Sequence, residues 1–498
     1  MFKKILIANR GEIAVRIIRS CREMGIKSAA IYSDADITSL HTRLADESYH
    51  IGSSQASESY LNKEKIIQLA KEIGADAIHP GYGFFSENAD FIRSIEKNKI
   101  TFIGPSSTSV SLMGSKTEAR KIMAKSGVPI VPGTTSPLTS LKDGLNSAEE
   151  LGYPILLKAS AGGGGKGMRK ISSRDEFESA FDATKREALK AFANDEIYLE
   201  KFIENPRHIE VQVFGDKQGN YVHLFERECS IQRRHQKIIE EAPSSFVDEK
   251  TRQKITSAAI DAAKACNYYN AGTVEFLMDS RKNFYFLEMN TRLQVEHPVT
   301  ELITGLDLVK EQISVAAGNP LSIKQSELSI NGHAIECRIY AEDPLNNFLS
   351  STGQIIRYLQ PSGPGIRVDS GFDAGSHITF NYDPLIAKLI SWSDTRESSI
   401  NRMIGALSEY VISGFTTNIS FLKSVIDHQS FRKGDININF LEEYFLKGFS
   451  ESDNEQGLKE KELAAAILSS LLKFKSTAAN VKIDSKDSTN SWQEQMYE

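Results

Sequence analysis

The sequence predicts an α/β protein that passes into α+β structure: an open parallel-sheet unit first, a mixed central unit next, and a smaller mixed unit towards the C-terminus. Three observations carry this. Short apolar runs alternate with helical patterns over residues 1–112, and such alternation implies a parallel sheet. Beyond a helix ended by Gly127 the pattern changes to hairpins and a glycine-rich loop. From His333 onward short strands recur before helical segments return. A length of 498 residues suits two to four such units at ~100–200 residues each.

Taken in order, residues 3–8 (KKILIA) read as a strand, and the helical pattern after Gly11 puts Ile13, Ile17 and Ile18 on one face. SAAIYS (28–33), DAIHP (76–80) and ITFIG (100–104) are the next strands, each after a helix-like stretch. GSKTEARKIMAKSG (114–127) is a helix, and the two prolines of VPIVPG mark a boundary after it. The expected units are 1–112, 113–330 and 331–446, with a tail at 447–498 holding one charged helix (GLKEKELAAAILSSLLKF) and a polar end.

In KASAGGGGKGMRK (158–170), four consecutive glycines suit neither a helix nor a strand interior. They suit a mobile loop whose backbone N–H groups close over phosphates. PILLKAS before it and MRKI after it read as strands, so the unit is strand–loop–strand. A P-loop would need GK[ST] and then a helix, whereas Lys166 precedes Gly167 and Met168. A plain flexible turn is the alternative, disfavoured because few turns need four glycines flanked by lysines.

GTVEFLMDSRKNFYFLEMNTRLQVEHP reads as a hairpin turning at SRKN. A turn centred between Arg281 and Lys282 sets Glu275 opposite Glu288 and Phe276 opposite Leu287. Directly opposed residues share a face, and like charges there are destabilising unless a cation lies between them. Two hard oxygen ligands facing one point suit Mg2+, with phosphate oxygens completing its shell. In steps of two, Asn290, Arg292 and Gln294 continue the Glu288 face, so a metal site runs into an anion site. Phe276, Leu287 and Met289 form the apolar face.

In HIEVQVFGDKQGNYVHLFERECSIQRRHQKIIEEAP, His208, Glu210 and Gln212 alternate with Ile209, Val211 and Val213, which predicts a half-buried strand, with His223 and Glu226 on its return partner. Arg233, Arg234, His235 and Lys237 then form a basic cluster suited to polyphosphate; a solvated surface face is the alternative. HPGYGFFSENADF (79–91) reads as a tight turn around Tyr82 with Ser86 capping the next helix. The isolated strand HAIECRIYAED puts Ala334, Glu336 and Arg338 on one face, where a lone arginine is more often structural.

The composition is that of an ordinary globular protein, 40% hydrophobic and 25% charged. Its net charge of −6 argues against a nucleic-acid binder. Cys21, Cys229, Cys266 and Cys337 form no CxxC pair, so reduced cytosolic thiols are expected rather than a zinc or redox site. The N-terminal apolar run is too short for a signal segment, and no run is long enough to cross a bilayer. A cytoplasmic protein without nucleic-acid or membrane partners is expected.

Together these segments resemble the biotin carboxylases of the ATP-grasp superfamily. The likeness runs from Lys3 to about Leu446 through ILIANRGEIAVRIIR, HPGYGFFSEN, FIGP, KASAGGGGKGMR, ECSIQRRHQKIIEEAP, FLEMNTRLQVEHPVTE, GHAIECRIYAED and NYDPLIAKLI. It implies an ATP-grasp central domain between N- and C-terminal biotin carboxylase domains. By position, Lys116 and Lys158 would contact ATP phosphates, with Gly162 to Gly167 as a lid (Gly163, Gly164, Gly165 and Lys166 at its centre). Glu200, Lys201 and Phe202 would border the adenine. His208, Gln232, His235 and Lys237 would line the nucleotide pocket. Glu275 and Glu288 would hold Mg2+ or Mn2+, helped by Asn290. Arg292, Gln294 and the Val295 backbone would hold bicarbonate. Glu296 would be the general base, and Arg338 would stabilise the biotin ureido anion near Tyr82. Ala161 and Lys166 stand where many relatives have glycine and some have arginine, which leaves the lid slightly stiffer.

The implied reaction is the first half-reaction of an acetyl-CoA or pyruvate carboxylase: bicarbonate, activated by ATP, carboxylates biotin on a carrier protein. No MKM-type lysine is found, so the biotin carboxyl carrier and the carboxyltransferase are expected as separate chains, and a homodimer is expected by resemblance. The tail is closer to the longer subunits of two-chain pyruvate carboxylases. Another ATP-grasp ligase, such as a carboxylate–amine ligase of purine synthesis, would share the lid and metal carboxylates. It would not need Arg292, Glu296 and Arg338 together. A non-catalytic nucleotide-binding protein is disfavoured because every candidate catalytic group is present.

Overall fold

The computed structural model describes residues 1–160, 167–192 and 194–446. Residues 1–441 form one compact unit, and Glu442–Leu446, at the start of a second, is a single helical turn.

Strands β1 (Lys4–Ile7), β2 (Lys27–Ser33), β3 (Glu47–Gly52), β4 (Ala77–His79) and β5 (Thr101–Phe102) form the expected open parallel sheet, in the order β3-β2-β1-β4-β5. β3 carried no clear pattern in the sequence because it is an edge strand whose residues alternate between part-buried and exposed. Ile5, Leu6 and Ile7 are fully buried, and the helix Gly11–Glu23 buries Ile13, Ile17 and Ile18 against the sheet. Each such side chain contributes roughly 1.5–3 kcal/mol of burial.

β6 (Ile155–Ala159), β7 (Met168–Ile171) and β8 (Ile197–Lys201) make a three-stranded antiparallel sheet in the order β7-β6-β8. The glycine loop thus joins two paired strands. Its residues 161–166, including Gly163, Gly164, Gly165 and Lys166, lie outside the described residues. Gly167 closes the loop at φ +71°, where a Cβ would stand 2.9 Å from that of Ala159, so both backbone and packing select glycine.

The largest sheet has eight strands. β9 (Arg207–Gly215), β10 (Tyr221–Arg233), β11 (Gln236–Ala242), β12 (Asn270–Met278), β13 (Phe284–Asn290) and β14 (His333–Tyr340) join strands Ile366–Ser370 and Leu385–Ser393. In order they are β13-β12-β9-β10-β11-β14, then Leu385–Ser393, then Ile366–Ser370. β9 is buried on both faces rather than half-buried. The helix Glu249–Ala265 covers its apolar side, and on its polar side Gln212 donates to the Gly272 carbonyl and Glu210 accepts from Arg227. β14 is likewise not isolated. It lies between β11 and Leu385–Ser393, so one sheet continues across residue 330.

In the β12–β13 hairpin, Glu275 does oppose Glu288, but Phe276 opposes Phe286, not Leu287. The ladder ends at Met278–Phe284, one residue short of the expected register, and a bulge at Leu287 restores it at Glu288. The bulge turns Leu287 onto the polar side, where it lines the cavity beside Glu288. Phe286 takes its place in the core.

Candidate active site

A cavity of about 570 Å³ opens between the β6–β8 sheet, the β10–β11 hairpin and the β12–β13 hairpin. One end is walled by Val131, Leu156, Met168, Leu277, Leu287 and Ile438, an apolar slot that suits a flat ring. At its edge, Glu200 is buried with one carboxylate oxygen held by Arg120 and the other by Lys158. Lys201 lines the cavity through its stem only, because its ammonium donates to the carbonyls of Gly152 (2.7 Å) and Tyr153 (3.2 Å). Lys116 opens the helix Lys116–Lys125, which Ser115 caps, and its Nζ stands 3.7 Å from Glu288 Oε2.

The polar end is organised by one ammonium. Lys237 Nζ donates to Glu210 Oε2 (2.5 Å), Glu296 Oε1 (2.7 Å) and Glu275 Oε1 (2.9 Å). Burial works against its charge, but these carboxylates hold it protonated well above the ordinary lysine range. Arg338 shares the Glu296 carboxylate from the other side: its Nη2 donates to Glu296 Oε2 at 2.9 Å, and its Nε to Glu240 Oε1 at 2.6 Å. Burial raises the Glu296 carboxyl, yet Lys237 and then Arg338 outweigh it and hold the group well below the usual carboxylate range. Glu296 is therefore ionised, and only displacement of one of its cations makes it a stronger base. Beneath it Arg227, fully buried, donates to Glu210 (2.5 Å), Gln212 (2.9 Å), Thr300 (2.9 Å) and Thr273 (3.1 Å), so each nitrogen of its fork is engaged.

Next to this cluster, Arg292 is held in place before any ligand arrives. Its Nε donates to Glu87 Oε2 (2.8 Å) and its Nη1 to Gln294 Oε1 (2.9 Å). Glu87 also accepts from the Thr291 N–H at 2.8 Å, tying the N-terminal unit to the end of the hairpin. Asn290 and Gln294 both donate to Glu275 Oε1, at 2.7 and 3.2 Å. β13 ends at Asn290, so Arg292 and Gln294 lie on the turn after it rather than on a continuing strand.

Glu275 and Glu288 line the same cavity, opposite each other, with Asn290 between them and Arg292. Two carboxylates and an amide oxygen are a hard donor set, so the residues present fit Mg2+ or Mn2+. His208, Glu210 and Glu275 also converge, but Lys237 already bonds both of those carboxylates. Glu288, whose nearest cation is Lys116, is the freer oxygen donor.

The structure thus brings Lys116, Lys158, Glu200, His208, Gln232, His235, Lys237, Glu275, Glu288, Asn290, Arg292, Gln294, Val295 and Arg338 to one cavity. Gln232 bonds His208 Nδ1 at 2.9 Å, and His208 Nε2 stands 2.9 Å from Glu275. Glu296 is buried immediately behind them. Tyr82 does not line the cavity; its ring lies 6.0 Å from the ammonium of Lys388, which itself donates to the Val295 carbonyl. The basic run splits: Arg233 pairs with Glu342 in the interior, and Arg234 is exposed. His223 and Glu226 stay outside the site, the latter paired with Arg252. Sequence reasoning missed Glu87, Arg120, Arg227, Glu240 and Lys388. A buried-strand pattern with a charged residue on its polar side marks Arg227, Glu240 and Lys388 at best; Glu87 carries no local signal.

Three family models match the chain: the biotin carboxylase N-terminal domain over residues 1–110, the carbamoyl-phosphate synthase L chain ATP-binding domain over 115–324, and the biotin carboxylase C-terminal domain over 336–443. A pyruvate carboxylase subunit of Methanothermobacter thermautotrophicus is 49% identical over 479 residues, covering 96% of this chain and 97% of its own. Biotin carboxylase 1 of Bacillus subtilis is 51% identical over 449 residues, covering 90% and 100%. The biotin carboxylase domain dimer of Hydrogenobacter thermophilus 2-oxoglutarate carboxylase, solved with MgADP, ADP and bicarbonate, superposes with a TM-score of 0.85 at 50% identity, covering 89% of this chain and 98% of that one.

Proposed function

The chain belongs to the biotin carboxylase family, and from that premise we propose how its residues perform the reaction: ATP-dependent carboxylation of biotin with bicarbonate, giving carboxybiotin, ADP and phosphate. The observation that carries the assignment is Glu296, shared by Lys237 and Arg338 beside the pre-set Arg292–Gln294 pair.

The adenine lies in the apolar slot beside Glu200, with Lys116 and Lys158 towards the phosphates and the glycine loop as a lid. When bound by Glu275, Glu288 and Asn290, Mg2+ or Mn2+ supplies charge neutralisation to the phosphates. Bicarbonate lies on Arg292, Gln294 and the Val295 backbone. Glu296 removes its proton, the resulting oxyanion attacks the γ-phosphorus, and the bond to ADP breaks. Positioning and charge stabilisation do most of the work in such a transfer. The γ-phosphate of bound ATP, near Lys237, competes with the three carboxylates for its charge, which frees Glu296 to act as a base. The carboxyphosphate releases CO2 and phosphate; the phosphate takes the biotin N1′ proton, and the ureido nitrogen attacks CO2. Arg338 stabilises the ureido oxygen while that charge exists.

We also propose that the biotin is presented on a biotin carboxyl carrier protein, that a separate carboxyltransferase selects the acceptor, and that the chain works as a homodimer. A dimeric relative and relatives serving pyruvate and 2-oxoglutarate support that reading. The test is phosphate release from ATP with bicarbonate and free biotin, each omitted in turn. Release that requires both is expected; release indifferent to biotin would contradict the reading.

A further inference from the structure

Lys388, in the NYDPLIAKLI segment, has no part in the reaction steps above, yet it is fully buried. Burying an ammonium is costly unless something holds it, so its partners define its purpose. Nζ donates to the Val295 carbonyl at 2.8 Å. It stands 3.3 Å from Glu12 Oε1, 3.9 Å from Asp369 Oδ2, and 6.0 Å from the centre of the Tyr82 ring.

The sheet explains why it is there. Lys388 is the direct cross-strand partner of Arg338 on one side and of Asp369 on the other. Opposed residues share a face, so two cations lie side by side beneath the Val295–Glu296 turn. Arg338 holds the Glu296 carboxylate, and Lys388 holds the carbonyl of the preceding peptide. A trans peptide is planar, so fixing the Val295 C=O also fixes the Glu296 N–H, which points the opposite way. The turn is thereby clamped at both ends, one cation on its side chain and one on its backbone.

We propose that Lys388 is a positioning residue for the carboxylation: by holding the Val295–Glu296 peptide, it aims both the bicarbonate-binding backbone and the base. This rests on the functional reading above. Glu12 has the lesser part. Both its carboxylate oxygens lack a well-formed hydrogen bond among the described residues, so it balances charge without setting the geometry of the turn.

The test uses the full chain and measures bicarbonate- and biotin-dependent phosphate release in wild type, Lys388→Met, Glu12→Gln and the double variant. The double variant removes both members of the buried pair, so it remains informative where Lys388→Met alone leaves Glu12 uncompensated and fails to fold. We expect Lys388→Met, or the double variant in its place, to lower kcat/KM for bicarbonate at least about tenfold, with KM for bicarbonate raised and KM for ATP within about twofold of wild type. Glu12→Gln should stay within about threefold of wild type on every constant. An unchanged bicarbonate KM and kcat would overturn the proposal. So would an ATP KM that rises in step with the bicarbonate KM, or a Glu12→Gln defect as large as that of Lys388→Met. A wild-type chain that ignores bicarbonate and biotin would instead remove the functional reading on which the proposal rests.

Discussion

Glu296 makes the site understandable at the scale of single residues. A carboxylate held by an ammonium and a guanidinium is a poor base at rest, and in the proposed reaction each of its cations has a use elsewhere. There Arg338 would be drawn by the developing ureido anion, and Lys237 by phosphate. Losing one well-placed charge stabiliser costs ~100–1000-fold in rate, so Arg338→Ala should lower biotin carboxylation on that scale while nucleotide binding persists. A loss below about tenfold would return Arg338 to a structural role. Glu87 acts through Arg292. Glu87→Gln keeps the shape but removes the charge that aims the guanidinium, and should raise the bicarbonate KM roughly tenfold, equivalent to ~1.4 kcal/mol, with the ATP KM little changed. Steady-state kinetics with each substrate varied in turn checks both variants.

The β12–β13 hairpin shows at the scale of elements what could be read in advance. Counting from the turn paired Glu275 with Glu288, and that pair stands. The same count failed for Leu287, because a bulge compensates a ladder that closes one residue out of step, and no composition signal announces a bulge. The open parallel sheet was legible because its buried strands are unbroken apolar runs, whereas β3, a polar edge, was not. The site's missed members share one cause. Arg292 meets Glu87 across 205 residues, and Lys388 meets Val295 across 93, so their roles exist only after folding.

The HPGYG turn carries a pH dependence of its own. His79, at the end of β4, is fully buried and accepts the Gly81 N–H at 3.1 Å. Burial, reinforced by Arg16, pushes its pKa down to about 3. The unfolded chain takes up this proton near pH ~6.5, and the folded chain does not until about 3. The unfolded state therefore binds more protons in that window, and the stability contributed by His79 falls as the pH drops through it. Between pH ~6.5 and ~5 the loss approaches ~2 kcal/mol. Urea unfolding should show a shallower pH slope for His79→Gln, by about one proton. Equal slopes for the two proteins would contradict the buried, neutral assignment.

At the scale of the whole molecule, the eight-stranded sheet is what makes one site from distant sequence. It runs from Glu275 on β12 and Glu288 on β13, through Lys237 on β11 and Arg338 on β14, to Lys388 on the strand Leu385–Ser393. The N-terminal unit reaches it through Glu87 and Glu12. The units read from the sequence as successive are thus joined by one ladder at the site, and the proposed nucleotide and bicarbonate ends share the Glu275–Lys237–Glu296 cluster. Among the described residues, no helix is long and apolar enough to cross a membrane.

The most direct test of this mechanism is the Glu296→Gln variant, assayed for phosphate release from ATP with bicarbonate and biotin, and separately for nucleotide binding. Binding should survive, and biotin-dependent ATP cleavage should be abolished. Near-normal turnover by Glu296→Gln would show that another group takes the bicarbonate proton, and the clamped carboxylate could no longer stand at the centre of the mechanism.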